Sequence, residues 1–357
     1  MTMIVTQLNL YNFRNHTSLE ATFVKGLNVL VGANGVGKTN IVEAIHMLGF
    51  ASSFRSRDGG VIVQKDKTKS HIEAVINVPQ KTVVEFDITT KGKVITVNGK
   101  ILRKTSEITS LLNLTTFVPE DVFFFDREPK NRRRFLDERI SKENELYLSA
   151  LINYEKLLKE RNALLKTNGN DEQLAIVTRQ MVKEGEKIVL ERQKYAKKLE
   201  LVVNKVMGQI SSRPLVVALR YQPSLKSSKN FVEDALRSFD EIKKKESVLQ
   251  TTTLGPHRDD LSAVLGGKDV KDHASQGQKR MIAIAIKVAP YFIETDPNRK
   301  PIIILDDVLS ELDDKHQERL IDLLNKVGQV FITTTKYENY AAAIYDVAAG
   351  EITRRKL

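Results

Sequence analysis

Residues 32–39 read GANGVGKT, which has the spacing G-x-x-x-x-G-K-[ST]. Backbone N–H groups of such a glycine-rich turn can close around phosphate oxygens, and the helix that follows adds its N-terminal dipole. The spacing assigns Gly32, Ala33, Asn34, Gly35, Val36 and Gly37 to a phosphate cradle, Lys38 to the β and γ phosphates, and the Thr39 hydroxyl to a Mg2+ ion. A second chemical signal is PIIILDD at 301–307, an apolar run that ends in two acids. Asp306 is expected to hold the Mg2+, directly or through water, and Asp307 stands where a water-activating carboxylate would sit. A third is SQGQKR at 275–280, a polar turn that runs straight into an apolar helical pattern. Gly277 permits close approach of an anion there, and Ser275 is a natural N-cap with a hydroxyl to donate.

These groups need elements to hold them. Val29, Leu30 and Val31 form a short buried run ahead of the glycine turn, and Ile41, Ala44, Ile45 and Leu48 recur at helical spacing after it. Strands are expected over 3–10 and 22–31, and a β meander over 71–102, where Val84, Phe86 and Ile88 alternate with Glu85 and Asp87. Asn98-Gly99 suits a tight hairpin turn. PIIIL and GQVFITTT read as buried parallel strands. Near Pro119 the pattern changes to charged helices, one over 142–166 with Leu151, Tyr154, Leu158 and Leu165 on a face. NGND at 168–171 breaks it. A further helix runs to Val206, with Leu174, Met181, Ile188, Tyr195 and Val202 seven apart. The mixed intervening positions (Val177, but also Glu184, Glu191 and Lys198) make a weak heptad. An antiparallel helical hairpin about 40 Å long is expected, as a coiled-coil arm or an ordinary helical subdomain. The domain expectation is 1–118 for the first part of an α/β lobe, 119–213 for a helical subdomain, and 214–357 for the rest of the α/β lobe, including the strand PLVVALRY.

Composition narrows the class. Hydrophobic residues make up 41% of the 357, enough for a sizeable core. Cysteine is absent, which excludes disulfides and thiolate metal sites and fits a reducing compartment. The net charge of +11 suits a polyanionic partner, nucleic acid being the commonest, or else serves solubility alone. No apolar run is long enough for a membrane span, and no signal-peptide pattern opens the chain, so a cytoplasmic location is expected.

The order phosphate loop, SxGQ, apolar strand with DD, then SELD at 310–313 is that of the ATP-binding-cassette class. GANGVGKTNIVEAI, with Asn40 and Glu43 after the threonine, resembles the heads of SMC-type ATPases. LNLYNFRNH, RRRFLD at 132–137, TTTLGPHRDDL at 251–261, SQGQKR and LDDVLSELD together resemble the bacterial RecF family across essentially the whole chain. The resemblance implies an ABC-type, SMC/RecF-like P-loop ATPase head, of α/β class, with a helical insertion forming a second lobe. It implies ATP and Mg2+ as cofactors, with Asn40 near the nucleotide and Ser275, Gly277 and Gln278 forming the signature. It implies ATP-dependent homodimers on double-stranded and gapped DNA, weak DNA-stimulated hydrolysis, and work with RecO and RecR to load RecA in recombinational repair and the SOS response. A nucleoid-associated cytoplasmic protein follows from that.

The chain departs from the cassette pattern in two places. Asp307 replaces the usual glutamate and is one methylene shorter, which favours slow turnover. The histidine that follows the next strand in many cassettes is missing, and Thr333, Thr334 and Thr335 stand there instead. Gln64 is a candidate ligand for Mg2+ and the attacking water, or an exposed strand-end glutamine. His257 suits a structural or interface role as well as a catalytic one. The Arg132–Arg134 run could grip DNA phosphates, face solvent, or join an internal ion-pair network. Two other functions fit the motifs: a non-hydrolysing ATP-binding scaffold, and a transporter cassette. A transporter cassette would carry its signature much closer to the phosphate loop.

Overall fold

A computed structural model describes residues 3–355 except 57, 79, 168–169, 214, 227, 337–341 and 349. Strands and helices are numbered along the chain. Two compact units are present: residues 1–122, 205–214 and 276–357 form one, and 123–204 with 215–275 form the other.

The first unit holds two six-stranded sheets. One contains β1 (Ile4–Phe13), β2 (His16–Thr22), β4 (Lys69–Val78), β5 (Gln80–Thr89), β6 (Gly92–Val97) and β7 (Lys100–Ile101), in the order β2-β1-β4-β5-β6-β7. All its pairings are antiparallel. Alternation in the sequence explains it: Val84, Phe86 and Ile88 point inward and are buried, while their neighbours are half-buried. At the β6–β7 turn Asn98 and Gly99 have φ of 48° and 74°, as a two-residue hairpin turn of the right twist requires. The first expected strand is longer than the sequence suggested and runs on to Phe13; β2 is an additional strand.

The other sheet contains β3 (Gly26–Val31), β8 (Leu114–Phe117), β12 (Ile302–Leu305), β13 (Gln329–Thr334), β14 (Ala343–Ala348) and β15 (Glu351–Arg354), in the order β15-β14-β3-β13-β12-β8. Its pairings are parallel apart from the β14–β15 hairpin. The continuous apolar runs of β12 and β13 are fully buried, as expected for strands covered on both faces. Helix α1 (Lys38–Phe50) belongs to one core with residues of both sheets, among them Leu8, Ile72 and Phe86 of the first and Ile302, Ile304 and Phe331 of the second. Being packed on several sides, it buries Val42, Met47 and Gly49 besides the expected Ile41, Ala44, Ile45 and Leu48. The unit also contains α2 (Gly59–Ile62), α3 (Thr105–Leu111), α9 (Gln276–Ile293) and α10 (Asp314–Leu324).

The second unit contains α4 (Pro129–Glu143), α5 (Glu145–Lys166), α6 (Asp171–Ile210, its last turn counted with the first unit), α7 (Phe231–Leu249) and α8 (Val270–His273). A small antiparallel sheet accompanies them, β11-β10-β9, from β9 (Val217–Gln222), β10 (Asp260–Leu265) and β11 (Lys268–Asp269). The expected helical hairpin is present. Arg161 meets Thr178, Tyr154 meets Gly185 and Tyr147 meets Arg192, so partners step up α5 as they step down α6. Part of NGND, residues 168–169, lies outside the described residues. Leu174, Met181, Ile188 and Tyr195 are buried. With 40 residues α6 exceeds the expected length, about 60 Å at helical rise.

Residues 215–275 cluster with the helices, where the sequence had suggested that 214–357 would join the α/β lobe. Buried ion pairs explain the difference. Arg192 on α6 is 2% exposed and bonds Asp137 at 2.8 Å, Asp259 at 3.5 Å and the Pro256 carbonyl at 2.7 Å. Arg161 on α5 pairs with Glu246 at 2.7 Å and donates to Thr252. Guanidinium groups in such surroundings are tolerated only when fully partnered, so the TTTLGPHRDD segment is tied to the helices.

Ile45, at the centre of α1, is fully buried between the sheets. Ile45→Ala is expected to lower unfolding free energy by about 2–5 kcal/mol, measured by urea denaturation.

Candidate nucleotide site

The loop that joins β3 to α1 carries the phosphate-loop residues. Gly37 caps α1 with φ 111°, and a Cβ there would lie 2.5 Å from the His16 ring, so only glycine fits. At Gly32 a Cβ would meet the Val347 carbonyl at 2.3 Å, which lets β14 pack against the start of the loop. Ala33, Asn34 and Gly35 are exposed, and Val36 and Asn40 half-buried. The Lys38 ammonium, on a residue 7% exposed, donates to the carbonyls of Gly32 at 2.7 Å and Ala33 at 2.8 Å. Burial holds it below the usual lysine range, while the carboxylates of Asp307 and Asp306 pull it back up.

Sheet order brings the acids to this loop. In the sheet β13 lies between β3, which feeds the loop, and β12, which ends in Asp306. The Thr39 hydroxyl donates to Asp306 Oδ1 at 3.0 Å, and the Thr333 hydroxyl, from β13, donates to the same oxygen at 2.6 Å. Thr333 Oγ1 also accepts from the Asp307 amide at 2.9 Å. Burial pushes the Asp306 carboxyl up, and the two threonine hydrogen bonds oppose that. Asp307 has φ 49°, an uncommon conformation for a residue with a side chain. Its Oδ1 is buried with no hydrogen-bond partner among the described residues. An orphaned buried carboxylate oxygen beside a hydroxyl–carboxylate pair fits a hard cation with its water and phosphate oxygens. Thr39 and Asp306 are the residues that would hold Mg2+.

The YNFRNH segment supports the loop, a role that sequence reading did not assign. Asn15 donates to the Val36 carbonyl at 3.1 Å and accepts from Asn40 at 2.6 Å. Arg14 donates to both oxygens of the fully buried Glu43, which also accepts from Ser53. Arg55 donates to Asn40 at 2.8 Å and lowers the carboxyl of Asp306 by its charge. The signal was there in Arg14 and Asn15, two polar residues that make up the short turn between β1 and β2.

Other candidates fall elsewhere. Gln64 is half-buried and donates to Thr17 at 3.0 Å, and no described hydrogen bond joins it to Asp306 or Asp307. Ser275 precedes α9 and is exposed; Gly277, in its first turn, is exposed with open space where a Cβ would stand; Gln278 is half-buried. Arg280 on the same helix pairs with Glu311 of the SELD turn. His257 accepts from the Tyr154 hydroxyl at 2.7 Å through Nδ1 and donates to the Thr252 carbonyl at 3.1 Å through Nε2. Both nitrogens serve the fold. The Arg132–Arg134 run is mostly internal: Arg132 is buried against Asp260 at 2.7 Å, Arg133 donates to the Asp259 carbonyl, and only Arg134 lies on the surface, paired with Glu138. Of the three readings open for this run, the internal network is the one found for Arg132 and Arg133, and the solvated face for Arg134.

Fold and site define an ABC-type ATPase head of the SMC kind. The family model of the RecF/RecN/SMC N-terminal domain matches residues 4–355. The DNA replication and repair protein RecF of Oceanobacillus iheyensis is 35% identical, with 94% of each chain covered, and that of Geobacillus sp. strain WCH70 is 35% identical, with 98% of this chain and 99% of the relative covered. The chain belongs to the RecF family. A structure described as the recombination mediator protein RecF with ATP in the RecFOR pathway superposes with a TM-score of 0.89 at 29% identity, covering 99% of this chain and 98% of that one. The Smc head domain from Pyrococcus furiosus has a TM-score of 0.61 at 17% identity and shares the fold. No helix among the described residues is long and apolar enough to cross a membrane.

Two pH-linked outcomes follow from the buried groups. The Asp306 carboxyl titrates higher in the fold than in the unfolded chain, so its ionisation costs stability as pH rises through that folded value. Asp306→Asn is expected to raise the urea midpoint at pH 7 without nucleotide, while abolishing Mg2+-dependent ATP binding. His257 is pushed down to about 4 by burial, so the unfolded chain takes up its proton first. Stability should fall as pH drops from about 6.5 towards 4, by up to about 3 kcal/mol, and His257→Gln should flatten that limb in urea titrations.

Proposed function

We propose that this chain is an ATP-driven DNA clamp. It binds ATP with Mg2+, pairs head to tail with a second copy on double-stranded DNA near single-strand gaps, and is reset by slow hydrolysis. The observation that carries this reading is the hydrogen bond from Thr39 to Asp306, residues far apart in sequence, beside the unpartnered Asp307 oxygen. Asn34 to Gly37 offer backbone donors to the phosphates, and Lys38 leaves the carbonyls of Gly32 and Ala33 for the β and γ oxygens. Bound Mg2+ supplies charge neutralisation on the phosphates. Asp307 accepts the proton of the attacking water. The short side chain of Asp307 and the substitution of a switch histidine by Thr333 both favour slow turnover.

Ser275, Gly277 and Gln278 serve the partner copy. Gly277 is open to approach and the α9 N-terminus favours an anion, so the γ-phosphate held by one copy is met by the signature of the other. ATP then bridges two heads, and hydrolysis removes the bridge. Net charge of +11 supports sequence-independent, salt-sensitive DNA affinity. Relatives described as repair proteins and as a mediator in the RecFOR pathway support a role with RecO and RecR in RecA loading, recombinational repair and the SOS response.

Sedimentation with ATP, ADP and no nucleotide, with and without gapped duplex, tests the clamp. Lys38→Met should lose ATP binding by at least about 100-fold, and with it dimers. Ser275→Arg should keep ATP binding and lose dimers. Mixing the two variants should restore partial dimerisation, because each mixed pair retains one intact site. Loss of ATP binding by monomeric Ser275→Arg would instead assign the signature to its own nucleotide. Absence of dimers with ATP under every condition would end the clamp reading.

A further inference from the structure

Between Asp87 and Glu107 the chain has no acidic residue, yet it carries Lys91, Lys93, Lys100, Arg103 and Lys104. The interval covers β6 and β7, the end of the antiparallel sheet in the order β2-β1-β4-β5-β6-β7. All five cations are exposed, and none forms an ion pair among the described residues; Lys93 rests its ammonium on the Ala51 carbonyl. Three acids flank the strip, and Glu107 accepts from the backbone amide of Lys104 at 2.9 Å. Asp87 pairs with Lys69 at 2.8 Å and His71 at 2.7 Å, and Glu85 accepts from Thr96 at 2.8 Å.

The register spreads these charges. Lys91 lies in the turn before β6 and Lys100 just after it, about 20 Å away at strand rise. After β7 the chain returns along β6, Leu102 bonding the Ile95 carbonyl, and so carries Arg103 and Lys104 back towards Lys91. Such a length of duplex presents on the order of twelve phosphate charges.

We propose that this β6–β7 edge grips the phosphate backbone of duplex DNA, through Lys91, Lys100, Arg103 and Lys104 with Lys93 behind them. The inference rests on the DNA-clamp reading and gives it an address. Residues 88–106 include no aromatic on which single-stranded bases could stack. Their exposed apolar side chains, Val94 and Ile101, are too few for insertion into a lipid surface. The strip is therefore specific for a regular polyanion. It takes the role that sequence reading had offered to the Arg132–Arg134 run.

The test is fluorescence anisotropy of the full chain on a labelled blunt duplex, with ATP, over a salt series. The variant combines Lys91→Gln, Lys100→Gln, Arg103→Gln and Lys104→Gln. Its affinity should be on the order of 10²- to 10³-fold weaker near 0.1 M salt, and its log–log salt slope shallower by roughly 3 to 4. ATP affinity and the unfolding midpoint should not move. Each single substitution should shift the slope by about 1, which keeps the inference testable if the combined variant fails to fold. Wild-type affinity and slope retained in the variants would overturn the strip and leave the DNA reading intact. So would aggregation of the variant with undiminished DNA affinity, since the charges would then only guard a sheet edge. Preference of the wild type for phosphatidylglycerol vesicles over duplex would overturn it too. Failure of the wild type to bind duplex with any nucleotide would instead remove the DNA reading itself, and the strip with it.

Discussion

The first unit depends on keeping one buried carboxylate beside one helix N-terminus. Asp306 sits at the end of β12 in surroundings that disfavour its charge. Two hydroxyls compensate, Thr39 from α1 and Thr333 from the strand between. Neither could reach it if β13 did not separate β3 from β12, because that order sets the loop and the acid one strand apart. The parallel sheet is thus a ruler for the site. Its apolar strands give rigidity, and their polar ends give the chemistry.

A second layer of support comes from the antiparallel sheet. The turn between β1 and β2 holds the glycine loop through Asn15 and His16, and anchors α1 through the buried Arg14–Glu43 pair. A buried charge pair is weak evidence of stability in itself. Its use here is orientation: a planar guanidinium with two carboxylate oxygens fixes the helix in rotation and in height. Thr333 shows a similar economy. A hydroxyl that donates to Asp306 and accepts from the Asp307 amide aligns both acids, whereas a histidine at that end of the strand would have supplied a further titrating group.

Polar residues in the second unit have a different purpose. Arg132, Arg161 and Arg192 are all nearly buried and fully partnered. They link α4, α5 and α6 to the 250–260 segment, so motif residues that look catalytic in sequence, His257 among them, have their hydrogen bonds consumed by the fold. Exposed charge is found instead on a sheet edge with no acids in its sequence. The distinction between structural and functional arginines is one of partners, which a linear pattern does not display.

Legibility in the sequence followed the range of the interactions. Local rules determined the phosphate loop, the apolar strand ending in Asp306 and Asp307, the Asn98-Gly99 turn and the two long helices, because backbone φ preferences and apolar periodicity act over a few residues. The resemblance to RecF rested on other short stretches, LNLYNFRNH, RRRFLD, TTTLGPHRDDL, SQGQKR and LDDVLSELD. Tertiary structure alone decided which strand lies between β3 and β12, that the Thr333 hydroxyl meets both acids, and that 215–275 packs with the helices. It also decided that Arg132 is an internal tie. Each of these depends on contacts between residues well apart in sequence, from 27 positions for Thr333 and Asp306 to 128 for Arg132 and Asp260, where the energy of a buried charge or hydroxyl is set by what the fold brings to it.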